Sequence, residues 1–201
     1  MGIRERRGIE KAEMKKKIRN AAVKIIQQEG YEKLSIRKIA AEIQYSPTTI
    51  YLYYADKAEI IADMSGELYR KVEDNAAAIL NGAAGSSADK QLQSVLKSII
   101  VSLCDESEMA KAIMYSGTYA IFGNESKGEP VNSGIAMLDD LIAAGIAQKI
   151  LRPNAANSSW MIVSALFGFV MSAIENQLYK LDNFSQLADH FLEIMMGGIR
   201  A

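Results

Sequence analysis

Apolar residues return every three or four positions along nearly the whole chain, and no stretch sustains the alternation of a strand. Met14, Ile18, Ala21, Ala22, Ile25 and Ile26 form the first such stripe, flanked by Lys15, Lys16, Lys17, Arg19 and Lys24. A chain patterned this way buries its apolar side chains as packed helices. Only three prolines interrupt it, and 49% hydrophobic content over 201 residues is enough for a sizeable core. The expectation is an all-α protein of about nine helices.

Local signals place the helices. Residues 1–10 are charged and read as an arm. A helix from about Lys11 stops at Gly30. Ser35 caps a short helix carrying Ile36, Ile39, Ala40 and Ile43. After a tight break, Ser46 and Pro47 open a helix over 47–54, barely two turns. Asp56 and Glu59 have capping-box spacing at the start of a long helix. Its stripe is Ile60, Ile61, Met64, Leu68, Val72, Ala76, Ile79 and Leu80. Another helix carries Leu92, Val95, Leu96, Ile99, Ile100 and Leu103, and more are expected over 108–119, 130–148, 155–181 and 184–197, with Asn183 capping the last.

Charge divides the chain. Residues 1–57 hold 13 Lys and Arg against 7 Asp and Glu, net +6, whereas residues 58–201 hold 10 against 17, net −7; together they give the −1 of the whole. A basic head on an acidic body points to an anionic partner for the head alone. Cys104 and His190 are the single cysteine and histidine. No intrachain disulfide can form, which fits a reducing, cytoplasmic compartment. The basic N-terminus has no apolar run after it, so no signal peptide is expected. The longest apolar stretch, 161–174, falls short of the roughly 20 residues a membrane span needs.

The segment 35–57, SIRKIAAEIQYSPTTIYLYYADK, carries the function. Two short helices with a tight break, after a longer first helix, make a helix-turn-helix whose second short helix can enter the major groove. Thr48 and Thr49 offer hydroxyls and methyls to base edges. Tyr51 and Tyr53 offer phenol hydroxyls to phosphates. Lys57 adds charge beside helix N–H groups that already favour a phosphate.

These residues resemble the TetR family of bacterial transcriptional regulators. The match runs through Ser35, Arg37, Ile39-Ala40, Tyr45-Ser46, Ile50-Tyr51-Leu52-Tyr53-Tyr54 and Asp56-Lys57, and spans about 45 residues from Ile18 to Ile61. It implies that Ser35 and Lys57 contact phosphates and that Arg37 reaches a base or a phosphate. It also implies that Pro47, Thr48, Thr49, Tyr51 and Tyr53 form the groove-facing surface, with Ile39, Ala40, Ile50 and Tyr54 as the core beneath. Two positions depart from the pattern. Gln44 stands where the family has Gly, at a turn position that often needs positive φ, a cost of roughly 1 kcal/mol for other residues. Tyr45 replaces a small apolar residue, so packing under the turn should be adjusted.

The resemblance divides the chain into an arm and DNA-binding domain, 1–56, and a connecting helix with a ligand-sensing and dimerising body, 57–201. Met109, Met114, Tyr115, Tyr119 and Phe122 cluster in one stretch, and Trp160, Phe167, Phe169 and Met171 in another. Flexible Met and flat aromatic side chains suit an apolar effector pocket, although ordinary core explains them too. Glu108, Asp139 or Asp140 would favour a cation there, and solvated faces explain them equally. The last two helices are the dimer interface by resemblance. Ala165, Gly168, Ser172 and Ala173 permit close approach on one; Leu187, Phe191, Ile194 and Met195 form an apolar stripe on the other.

The implied function is a homodimeric repressor released from a palindromic DNA operator by an apolar small molecule. The alternative is a DNA-binding protein of the same fold that senses no small molecule and acts structurally or through a protein partner. No enzymatic role, cofactor or metal is expected: one His, one Cys and no phosphate-cradling glycine loop exclude most such chemistry. A membrane-surface role is disfavoured because the basic first helix lacks bulky aromatics on its apolar face.

Overall fold

The computed structural model describes residues 2–83, 85–115 and 133–201. Among these residues there are nine α-helices and no strand, only one isolated antiparallel bridge between Leu151 and Arg200. No helix is long and apolar enough to cross a membrane among the described residues.

The helices are α1 (Ile3–Glu29), α2 (Ile36–Glu42), α3 (Pro47–Tyr51), α4 (Lys57–Gly82), α5 (Ala88–Asp105), α6 (Ser107–Tyr115), α7 (Ser133–Ala147), α8 (Ser159–Glu175) and α9 (Phe184–Gly197). They form two compact units. One contains α1 to α3, α4 as far as Leu68, and α6 from Glu108 on; the other contains the rest of α4 with α5, α7, α8 and α9.

In the first unit Ile18, Ala22, Ile26, Ile39, Ala40, Ile50, Tyr54, Ile60 and Ile61 are at most 1% exposed. At about 25 cal/mol per Å² of apolar surface this cluster holds the unit together. The arm expected over residues 1–10 is instead helical: α1 begins at Ile3. Residues 5–10 are all exposed, and local contacts support the helix there. The Glu5 carboxylate accepts the Gly2 N–H at 3.3 Å, and Arg6 pairs with Glu10 at 3.1 Å. Gly30 ends the helix at φ 84°, its N–H donating to the Ile26 carbonyl at 2.9 Å.

In the second unit α5 packs on α7, α8 and α9. Leu92, Val95, Leu96 and Ile100 of α5 face Leu138 and Ile142 of α7, Leu166 and Val170 of α8, and Leu192 and Met196 of α9, all buried. The chain end is tied in. Arg152 N–H donates to the Ile199 carbonyl and Ala201 N–H to the Ile150 carbonyl, both at 2.9 Å. Arg200 pairs with Asp89 at 3.0 Å. Hydrogen bonds from the Ser87 hydroxyl and the Lys90 N–H, with Arg200 beside them, outweigh burial and hold the Asp89 carboxyl below its ordinary pKa.

The expected helix over 155–181 is shorter in the structure. Single turns at Pro153–Ala155 and Leu178–Lys180 flank α8, and the left-handed residues Asn157 (φ 67°) and Gln177 (φ 54°) set the breaks. Asn183 makes no side-chain cap to α9; its backbone (φ −96°, ψ 12°) is not the extended conformation a capping side chain needs.

Candidate nucleic-acid interface

The site is built outward from two capped helices. The Ser35 side chain accepts the Lys38 N–H at 3.3 Å and so opens α2. Ile39 and Ala40 on the inner face of α2 are buried, which leaves Arg37 exposed on the outer face, without an ion pair among the described residues. Lys24 pairs with Glu42 at 2.5 Å and Lys38 with Glu29, so salt bridges join α1 to the start and end of α2.

Gln44 adopts φ 60° in the turn, the left-handed value expected at this position. The turn closes with Tyr45 N–H donating to the Ala40 carbonyl at 2.8 Å. Ser46 then caps α3, accepting the Thr49 N–H at 3.2 Å and sharing a 2.9 Å hydrogen bond with the Thr49 hydroxyl. Pro47 occupies the first helical position.

Ile50 at 0% exposure and Tyr54 at 1% pin this short helix from beneath. Pro47, Thr48 and Tyr51 consequently face outward, with Thr49 and Tyr53 half-buried. α3 ends at Tyr51 rather than Tyr54; the chain continues as a turn, with Tyr53 and Tyr54 N–H groups on the Ile50 carbonyl. Asp56 caps α4, accepting the Glu59 N–H at 2.8 Å, and the Glu59 carboxylate reaches back to the Ala55 N–H at 2.6 Å. The Lys57 ammonium lies 3.9 Å from the centre of the Tyr31 ring, a cation–π contact that sequence reasoning missed.

Three further residues were not legible in the motif. The Tyr54 hydroxyl donates to Asp63 Oδ2 at 2.5 Å, and Arg19 pairs with the same oxygen at 2.9 Å. Lys15 lies over the Tyr54 ring at 4.4 Å. The end of the α3 segment is thus fastened to both α1 and α4. Burial and the Asp63 carboxylate push the Tyr54 pKa up, so its proton stays in place. Burial lowers the Arg19 pKa, but Asp63 outweighs it and the guanidinium stays charged. Tyr45, instead of packing under the turn, is 42% exposed, and Leu52 is 74% exposed, so the outward surface extends beyond the motif residues.

Residues 18–64 match the family model described as bacterial regulatory proteins, tetR family. The head belongs to the TetR family. No curated protein matches the chain by sequence. Solved structures extend the likeness to the whole fold. A TetR transcription regulator from Haloarcula marismortui is 15% identical with a TM-score of 0.66, covering 94% of this chain and 100% of that one. The fatty acid degradation regulator FadR from Bacillus halodurans is 18% identical with a TM-score of 0.63, over 92% of this chain and 95% of that one. FadR from Bacillus subtilis, in complex with stearoyl-CoA, is 20% identical with a TM-score of 0.58, over 91% of this chain and 98% of that one.

After residue 64, the remaining sequence-predicted residues fall as follows. On α8, Ala165, Gly168 and Ser172 are exposed; a Cβ on Gly168 would meet nothing within 4 Å. Ala173, expected beside them, is fully buried because it points to the unit's own core. On α9, Ile194 is 79% exposed, and Leu187, Phe191 and Met195 are half-buried. Phe191 stacks on Phe169 with ring centres 4.4 Å apart. Of the aromatic and Met clusters, Met109 and Met114 on α6 are half-buried and Tyr115 is exposed. Phe167 and Met171 on α8 are half-buried and Trp160 is exposed. Tyr119 and Phe122 lie outside the described residues. Asp139 accepts a hydrogen bond from Ser159 at the start of α8, a structural task.

Proposed function

We propose that the chain is a homodimeric transcriptional repressor that reads a palindromic operator through α3 and is released by an apolar small molecule. The observation that carries the reading is α3 itself. Ile50 and Tyr54 hold it from beneath, and Pro47, Thr48 and Tyr51 are presented outward beside exposed Ser35 and Arg37. A pinned helix of about one and a half turns with hydroxyls at its N-terminal end suits base edges in a major groove. Thr49, Tyr53 and Lys57 complete the surface, with Thr49 and Lys57 partly engaged by Ser46 and Tyr31.

Two-fold pairing supplies the second head for a palindrome. The small-residue face of α8 and the outward Ile194 of α9 supply a surface for it, since apolar side chains left in water favour burial against a copy. An effector with a long apolar part is supported by the stearoyl-CoA complex of a protein of the same fold and by Met and aromatic side chains on α8. The effector acts only if it binds the released and DNA-bound arrangements with different affinity.

Selection of duplex sites from random sequence by the purified protein tests the reading. One enriched palindrome, bound less tightly as salt rises, is expected. Thr48→Ala and Tyr51→Ala should flatten the preference, each by about 1–3 kcal/mol at the affected base pairs. Binding without any enriched sequence would sink the proposal.

A further inference from the structure

Residues 5–13 of α1 are all exposed. The helix nevertheless runs on through them, about 13 Å beyond the packed part at 1.5 Å per residue. Its charges are sorted by side. Arg7, Lys11 and Lys15 stand four residues apart and so lie on one face. That face continues into Ile18 and Ala22, which are fully buried, so the basic stripe lies on the side of α1 that faces the rest of the head. Lys15 shows where it starts, over the ring of Tyr54, immediately after α3. The acids turn elsewhere: Glu5 and Glu13 lie around the helix from the stripe, and Glu10 is paired with Arg6. Among the described residues Arg7 and Lys11 have no ion pair.

We propose that this stripe is a second DNA contact, lying along the sugar–phosphate backbone that flanks the half-site read by α3. The proposal rests on the operator-binding reading above. Charge complementarity selects the occupant. Arg7, Lys11 and Lys15, in line over about 12 Å of helix, match about two to three phosphates of one strand, which stand roughly 7 Å apart along the backbone. Such a contact carries no base information; it adds affinity, salt dependence and length to the footprint.

The test uses the full-length protein and the palindrome recovered by selection, with affinity measured from 50 to 300 mM salt. In Arg7→Gln/Lys11→Gln, four charges leave the dimer–DNA contact. The log–log salt slope should fall by about 3.6 at 0.9 per phosphate, and affinity at physiological salt by roughly tenfold or more, with the enriched sequence unchanged. Lys16→Gln/Lys17→Gln, which removes as many charges from other sides of α1, should leave the slope in place. Equal slopes in wild type and Arg7→Gln/Lys11→Gln overturn the proposal, as does an equal loss in both double variants. If phosphatidylglycerol vesicles bind wild type, lose Arg7→Gln/Lys11→Gln, and the DNA slope does not move, the stripe belongs to a lipid surface and the proposal fails. A wild-type protein without sequence preference removes both readings together; an intact preference with an unmoved slope removes only this one.

Discussion

Single side chains decide how firmly the reading helix is held. Tyr54 is buried with its hydroxyl on Asp63, which also takes Arg19. Tyr54→Phe keeps the packing and deletes the hydrogen bond to a carboxylate. Urea denaturation should show a loss of about 1.5–3 kcal/mol, and unchanged stability would mean the bond contributes nothing. Cys104 is a second case. Burial pushes its thiol up to about 11, so the folded protein holds the proton where an unfolded thiol, near 8.5, releases it. Stability from this group is complete below pH 8 and declines as pH rises through the unfolded value. Reaction of native protein with a thiol reagent at pH 8 should therefore be at least about tenfold slower than that of urea-unfolded protein.

At the scale of elements, turns and close approaches set where helices stop and how they meet. Gln44 takes φ 60°, a conformation an L side chain adopts at a cost of about 1–2 kcal/mol. Gln44→Gly relieves that strain but frees the unfolded chain by about 0.4–1 kcal/mol. The net should be a gain of roughly 0.5–1 kcal/mol by thermal or chemical unfolding, with sequence preference unchanged. Gly145 in α7 is the converse. A Cβ there would sit 2.6 Å from Leu151 Cδ1 and 2.7 Å from its Cγ, and Leu151 is itself only 1% exposed. Gly145→Ala should destabilise by about 1 kcal/mol or more, overpacking of about 1–3 kcal/mol outweighing roughly 1 kcal/mol of helix propensity. A more stable variant would show that the α7–Leu151 contact yields easily.

For the whole molecule the open question is assembly. Ile194 is 79% exposed and a side chain at Gly168 meets no neighbour within its own chain. Ile194→Asp should therefore change the stability of the isolated chain by no more than about 0.5 kcal/mol. If α8 and α9 form the dimer face, sedimentation should show the dimer weakened by at least about a hundredfold, two buried carboxylates costing several kcal/mol. An unaltered dimer would place the interface elsewhere. Much of this protein was legible in its sequence. Helical spacing marked the stripes, Ser35, Ser46 and Asp56 marked helix starts, and motif residues marked Ile39, Ala40, Ile50 and Tyr54 as the core of the head. These signals are local, acting over one turn of helix or less, and so survive in one dimension. The helical start of α1 was missed because an exposed, charged stretch of helix carries no apolar stripe. Tertiary structure alone decided the rest. Asp63 lies 44 residues from Arg19, Lys57 stacks on Tyr31, Asp89 holds Arg200 from 111 residues away, and Ala173 turns inward beside Ser172 turning outward. Partnerships of that range depend on how helices cross, and crossing geometry is set by the packed core as a whole.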